Sequence, residues 1–417
     1  MKAKFLAAVV ATCFAAPVLA QSSVTMYGIA DAGIMKASGQ TLRVVSGIAD
    51  GSRIGFKGTE DMGGGMKAIF NLEARVELDN GSQQPTLLSP EQGLYLTRGM
   101  GALPAPLLAG LRAGFQPKVA VNPEGALFDR TSMVGLITPG GAIMIGRMYT
   151  PGYEVFAASD AFESGTAGTW GGITGGTAGF TALGADIRSS KSIQYRIATP
   201  SGFGGSLMYG AKGSGYLNRY NKFLGAMATY KANGFDVGIA HNRGYDQGDA
   251  VSLVTSTVGG SYTIGDSKFF AGYHKQKNDN SVLLREYVAG FESSIAPFGA
   301  AAAPTLRAIF TPNIIANSKV DAASWQIGAH QRIGAGRFMV SIAEQNDRTA
   351  SNSDARLVAF GYDYNLSKRT DVYAVAAQIR NQNDGQYIPG AAGSPGGFTK
   401  VPGERTRGYQ IGLRHRF

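Results

Sequence analysis

Six bases stand where a field could act on a passing solute: Arg53, Lys57, Lys67, Arg75, Arg147 and Arg196. Five of them alternate with apolar residues. In Ser52–Lys57, Ile54 and Phe56 take one face while Arg53 and Lys57 take the other. In Met66–Arg75, Met66, Ala68, Phe70 and Leu72 oppose Lys67, Asn71, Glu73 and Arg75, with Ile69 out of phase. Arg147 shares the phase of Ile143 and Ile145, so alternation by itself does not put it on the polar side, though a local bulge would. A glycine-rich stretch further on carries four acids, Glu154, Asp160, Glu163 and Asp186. Charges arranged this way suit electrostatic work: lining a narrow space with low-dielectric walls, they draw in counter-ions and exclude like ions. More bases than acids favours anions.

Bond-making chemistry finds little support. His241, His274, His330 and His415 are widely spaced and form no His-Glu-x-x-His zinc pattern. No Gly-x-Ser-x-Gly elbow, P-loop or complete Gly-x-Gly-x-x-Gly occurs. No catalytic residue, metal ligand or cofactor is therefore assigned. The single cysteine, Cys13, falls in an export leader. Lys2 and Lys4 form its positive n-region, Phe5–Ala16 is an apolar run too short to span a bilayer, and Val18-Leu19-Ala20 sets cleavage before Gln21. Residues 1–20 thus read as a signal peptide and 21–417 as the mature chain, free of thiol chemistry.

The elements that must position the charges are strands. In Tyr409–Phe417 every odd residue (Tyr409, Ile411, Leu413, His415, Phe417) is apolar or aromatic and every even one is polar or small. With 59 Gly, 18 Tyr and 21 Phe, a mean hydropathy near zero and no long apolar helix after the leader, the chain lacks the marks of a helical membrane protein. An exported chain can cross a bilayer without helices as a closed barrel, which pairs every backbone N–H and C=O internally. The net charge of +10 comes from bases scattered singly. Together with export, that argues against nucleic acid as a partner.

Hairpins recur along the chain. Glu60–Gly65 joins the two strands above. Thr138–Gly141 joins 130–138 to 141–148, Thr199–Gly202 joins 191–199 to 203–212, and Ala232–Gly234 joins 222–231 to 235–243. Ile264–Asp266, Ala335–Gly336 and Ser367–Thr370 close three more. Long Gly/Ser/Asn/Asp-rich stretches alternate with these turns, as in an outer-membrane barrel. Sixteen strands are counted. Two weaker candidates, 286–293 and 306–312, flank an Ala/Pro-rich bend. Evenness admits both, giving eighteen, or neither, and proline-flanked alanine runs favour neither.

From end to end these blocks resemble the trimeric general porins of Gram-negative bacteria, of the type common in the β-proteobacteria. Ser22–Gly33 looks like that family's first strand and Ser52–Glu73 like its second and third. Ile145–Pro151 and Ser192–Arg196 resemble the strands that enter and leave its constriction loop, and Leu366–Thr370 and Gly412–Phe417 complete the match. The resemblance implies an all-β, sixteen-stranded outer-membrane barrel that assembles as a homotrimer. It would sit among lipid and lipopolysaccharide and pass small anionic or neutral solutes by passive diffusion, with no cofactor. It also implies that 149–190 folds into the lumen, opposite the six bases, and that Phe417 is the signal read by the outer-membrane assembly machinery. Two stretches, 84–125 and 279–322, are longer than the family leads one to expect. A substrate-specific channel and a plugged structural or adhesive barrel fit the same fold.

Overall fold

The computed structural model describes residues 23–83, 104–114, 125–174, 187–215, 219–282, 284–390 and 396–417. The leader, Cys13 and much of the 84–125 insertion lie outside them. Seventeen strands form one sheet: β1 (Ser23–Ala37), β2 (Arg43–Ser46), β3 (Arg53–Gly63), β4 (Met66–Arg75), β5 (Thr131–Thr138), β6 (Gly141–Tyr149), β7 (Arg188–Ala198), β8 (Phe203–Gly215), β9 (Lys222–Ala232), β10 (Phe235–Tyr245), β11 (Val251–Ile264), β12 (Ser267–Asn278), β13 (Val320–Ile333), β14 (Gly336–Asp347), β15 (Ala355–Asn365), β16 (Thr370–Asn381) and β17 (Arg405–Arg416). Every pairing is antiparallel, and β1 pairs with β17, so the sheet closes. Sixteen strands make the barrel. The short β2 lies beside the upper half of β1, whose lower half pairs with β3.

Alternation gives the wall two unlike faces. On β17, Tyr409, Ile411 and Leu413 are exposed outward, while Gln410, Gly412 and Arg414 are buried inward. The hairpin turns fall where the glycines and Asn-Gly place them; Asn233 and Gly234 both take positive φ (54° and 83°), as a tight two-residue turn requires. At this short-turn end, outward aromatics cluster: Phe203 and Tyr230 lie 4.9 Å apart, Phe235 and Tyr262 4.4 Å, Phe338 and Tyr362 4.7 Å. Tyr27 is not among them. Its hydroxyl turns inward, donating to Asn71 at 2.7 Å and Glu73 at 3.1 Å. Phe417 completes closure: its N–H donates to the Gly28 carbonyl at 3.1 Å and its carbonyl accepts from Gly28 N–H at 3.0 Å. The ring sits so close that a β-carbon on residue 28 would lie 2.4 Å from it, which is why a glycine follows Tyr27.

The long connections carry helices. The two weak strand candidates are helices α3 (Leu284–Ile295) and α4 (Ala303–Asn317); α1 spans Ala105–Gly114 and α2 Pro151–Ser159. In α3 the buried apolar residues are Tyr287, Phe291 and Ile295, and in α4 Ala303, Leu306, Phe310 and Ile314. Steps of three and four are a helix period, not the period of two a strand would need. α1 packs on α3 and α3 on α4. Their apolar faces form one cluster with the inward Met208, Phe223 and Leu253 of β8, β9 and β11, and with Phe398 from the connection before β17. A core drawing on both β8–β11 and the approach to β17 makes a cap over the long-loop end.

Candidate functional site

Inside the barrel, residues 150–174 run along the inner wall. The segment leaves β6 at Thr150, whose hydroxyl accepts from Tyr153 N–H at 3.2 Å and caps α2, with Pro151 in the first turn. α2 then lies against β9, β10, β11 and β12. Close approach is bought by glycine: a β-carbon on Gly272 would meet Ser159 at 2.9 Å and Trp170 at 3.0 Å, and one on Gly328 would meet Ala161 at 2.5 Å. Beyond α2 the backbone is tied across the lumen. His330 Nε2 lies 2.5 Å from the Ala161 carbonyl, Thr166 N–H donates to Ile48 O at 2.7 Å, and Ala167 N–H to Gln410 Oε1 at 2.7 Å. Phe156 stacks on Trp170 at 4.4 Å, and His274 meets Phe156 edge-on.

Across the lumen from this seat, β3–β7 carry a wall of arginines. Arg53 binds Asp50 at 2.5 Å and approaches Glu73 at 3.8 Å. Arg130, just before β5, binds Glu73 at 2.5 Å. Arg188 donates to the Tyr149 hydroxyl at 2.6 Å and lies 4.2 Å over its ring, while Arg130 reaches the same hydroxyl at 3.4 Å. Arg75 pairs with Glu77. Arg147 is 7 % exposed although its phase mates Ile143 and Ile145 are 46 % and 52 % exposed outward. The register of β6 on β7 shifts between Gly146 and Met148, so Ser190 and Lys191 together oppose Arg147. That bulge turns its guanidinium inward, onto the Asp129 carbonyl at 2.8 Å and Ser190 Oγ at 3.0 Å.

The other assigned bases are set apart. Lys57 is exposed and lies 5.0 Å over the Tyr27 ring. Lys67 is exposed near the short-turn end, and Arg196 pairs with Glu154 of α2. Among the acids, Glu163 binds Arg337 at 2.5 Å and keeps 47 % of its side-chain surface open. Enclosure by the barrel opposes its ionisation, but the Arg337 guanidinium outweighs that and holds it down to about 2. Asp160 is fully buried, accepting from Phe162 N–H at 2.9 Å, Ser164 N–H at 3.1 Å and the Thr169 hydroxyl. Burial pushes it up to about 7 despite those bonds, so it acts on the segment's own turn and not on the open lumen. Asp186 lies outside the described residues.

Arg130 and Arg188 were not legible as site residues. Each stands at a strand's first edge, where alternation has not yet set a phase. Among the described residues no group of His, Cys, Asp and Glu gathers as metal ligands would.

Comparison with known proteins agrees with this architecture. A family model described as Gram-negative porin matches residues 6–384. Outer membrane porin protein 32 of Delftia acidovorans is 26 % identical over 96 % of this chain and 95 % of its own length. Among solved structures, an anion-selective porin from Comamonas acidovorans superposes with a TM-score of 0.66 at 22 % identity, covering 95 % of this chain and 100 % of that one. The trimer form of OmpT, an outer membrane protein of Vibrio cholerae, does so with a TM-score of 0.57 at 14 % identity, covering 95 % and 99 %.

Proposed function

The chain belongs to the Gram-negative porin family of the outer membrane, and from that premise we propose an anion-preferring channel for passive diffusion of small hydrophilic solutes. The observation that carries the preference is the arginine wall. Arg53, Arg75, Arg130, Arg147 and Arg188 stand together against Asp50, Glu73, Glu77 and Asp129, opposite the seated 150–174 segment. Charges a few ångströms from a permeating ion interact by roughly 1 kcal/mol in bulk water and several-fold more beside a protein wall. Such a field biases permeation without selecting absolutely. Residues 149–190 act as the constriction loop, on which Glu154 pairs with Arg196 and Glu163 with Arg337. The subunits assemble as trimers, a reading that the trimer form of Vibrio cholerae OmpT supports. Fold and family point to a channel rather than an enzyme.

A planar-bilayer recording across a salt gradient tests this reading. The wild-type zero-current potential should carry the anion sign and shrink in magnitude at high salt, where the Debye length falls to ~3 Å at 1 M. A potential of cation sign, or no conductance, overturns it. The helical cap favours a second reading, a channel whose entry discriminates among solutes. Flux that saturates at low solute concentration would support that one.

A further inference from the structure

Tyr149 ends β6, directly across from Arg188 on β7. Its hydroxyl oxygen accepts twice, from Arg188 at 2.6 Å and from Arg130 at 3.4 Å. The ring is held as well: the Arg188 guanidinium lies 4.2 Å over it, and Tyr153 stacks on it at 5.3 Å with the two planes 15° apart. A phenol has one hydrogen to donate besides the lone pairs that accept. Elsewhere inside the barrel the protein uses that hydrogen: Tyr27 gives it to Asn71 at 2.7 Å and Tyr373 to Asp31 at 2.5 Å. Among the described residues nothing accepts it from Tyr149, whose oxygen is engaged only as an acceptor. Tyr149 is half-buried, so the donor is left to whatever passes through the lumen.

We propose that Tyr149 is a specificity-determining residue of the pore: it donates its phenolic hydrogen to passing oxyanions, carboxylates and phosphates, and so favours them over chloride. The inference rests on the anion-channel reading above and adds a discrimination that the arginines alone do not make, because a field acts on charge whatever its shape. A halide offers a single centre. A carboxylate or phosphate offers separate oxygens, one for the phenol and another for a guanidinium beside it, and hydrogen bonds to ionised acceptors are the stronger kind. Arg188 and Arg130 then have a second task. By filling the lone pairs of the Tyr149 oxygen they polarise its O–H, which makes it a better donor.

The test uses the whole protein in planar bilayers, with potassium chloride on one side and potassium acetate or potassium phosphate on the other. Reversal potentials give the permeability of each oxyanion relative to chloride. Tyr149→Phe should lower both ratios about tenfold, the size of one hydrogen bond to an ionised group. Tyr153→Phe, the same change on the stacked neighbour, should leave them as they are. A fall confined to acetate or to phosphate supports the proposal and narrows it to that oxyanion. A second variant, with O-methyltyrosine at position 149, keeps the acceptor oxygen for both arginines and removes only the hydrogen; its ratios should fall too. Unchanged ratios in either variant overturn the proposal: a fall with Phe alone would mean that the oxygen serves to anchor the arginines, and a fall with O-methyltyrosine alone would be an effect of bulk. A stronger anion preference of Tyr149→Phe in a potassium chloride gradient would mean that the residue is held as a phenolate with no hydrogen to give, and also overturns it. Heat-modifiable migration reports folding; should Tyr149→Phe not fold, unchanged ratios with O-methyltyrosine still decide against the proposal. A wild-type potential of cation sign in potassium chloride would instead sink the channel reading itself.

Discussion

Residues 150–174, inside the barrel, and the helices at its long-loop end are held differently. The inserted segment is tied by hydrogen bonds to distant strands, such as Ala167 to Gln410 and Ala161 to His330, and by the Glu163–Arg337 ion pair. Its aromatic pair Phe156–Trp170 adds packing where glycine lets it reach the wall. The cap of α1, α3 and α4 is built on a cluster of apolar side chains; its exposed ion pair, Arg307–Glu292, is of the solvated kind that contributes little. Directional bonds hold charged groups at fixed positions, which a selective field needs. Non-directional apolar contact positions bulk, which suffices to obstruct an entrance.

The largest expected effect breaks the comparison outright. Replacing 284–317 by a short Gly/Ser connection should remove the obstruction and raise single-channel conductance by about twofold or more, with little change in ion preference. Changed preference at unchanged conductance would mean that the cap carries field and not bulk.

Next comes the field. R53Q/R130Q/R188Q should move the zero-current potential to neutrality or to the cation side. R75Q/R196Q should move it less, because each of those bases has its own carboxylate, Glu77 and Glu154, whereas Arg53 and Arg130 share Glu73 and Arg188 lies on the Tyr149 hydroxyl. Equal shifts would mean that nearby carboxylates do not set how far each arginine acts.

Gly272→Val should unseat the inserted segment, because the added side chain meets Ser159 and Trp170. Noisier open-channel current and faster proteolysis within 160–174 of the folded barrel would report it. A quiet channel would mean that the wall gives way.

A smaller effect comes from pH. Asp160, pushed up to about 7 from an ordinary 3.8, keeps a proton in the folded protein that the unfolded chain releases. Its contribution to stability is therefore complete below about pH 4 and is lost as pH rises to 7. Glu163, held at about 2 against an ordinary 4.5, behaves oppositely: its contribution is present above pH 4.5 and is lost as pH falls through 2. Thermal stability between about pH 5.5 and 8 should decline less in Asp160→Asn than in wild type, and Glu163→Gln should leave that interval's slope unchanged.

The smallest effect on the folded molecule belongs to Phe417. Phe417→Ala should lower the assembled amount in cells while detergent refolding proceeds, because the backbone bonds to Gly28 that close the barrel survive. Equal loss in both assays would give the ring a packing role instead.

The strand count, the hairpin turns and the two faces of the wall were readable from sequence, since alternation and turn chemistry are local. Ile54, Phe56, Ile411 and Leu413 declare their face within a few residues, and Asn233-Gly234 declares its turn. Arg147 was readable as an anomaly, out of phase with an inward aim, for which a bulge was one account. The partners of the site were not. Arg130 and Glu73 lie 57 positions apart and Ala167 and Gln410 243 apart, and only closure of the barrel brings them together. Asp160 reads like any loop acid until folding buries it. α3 and α4 carry a helix period in segments whose composition resembles loop, and nothing local says that α1 will meet them. Short-range periodicity settles which way a side chain points; what it then meets is decided by contacts between segments remote in the chain, and these exist only once the barrel has closed around them.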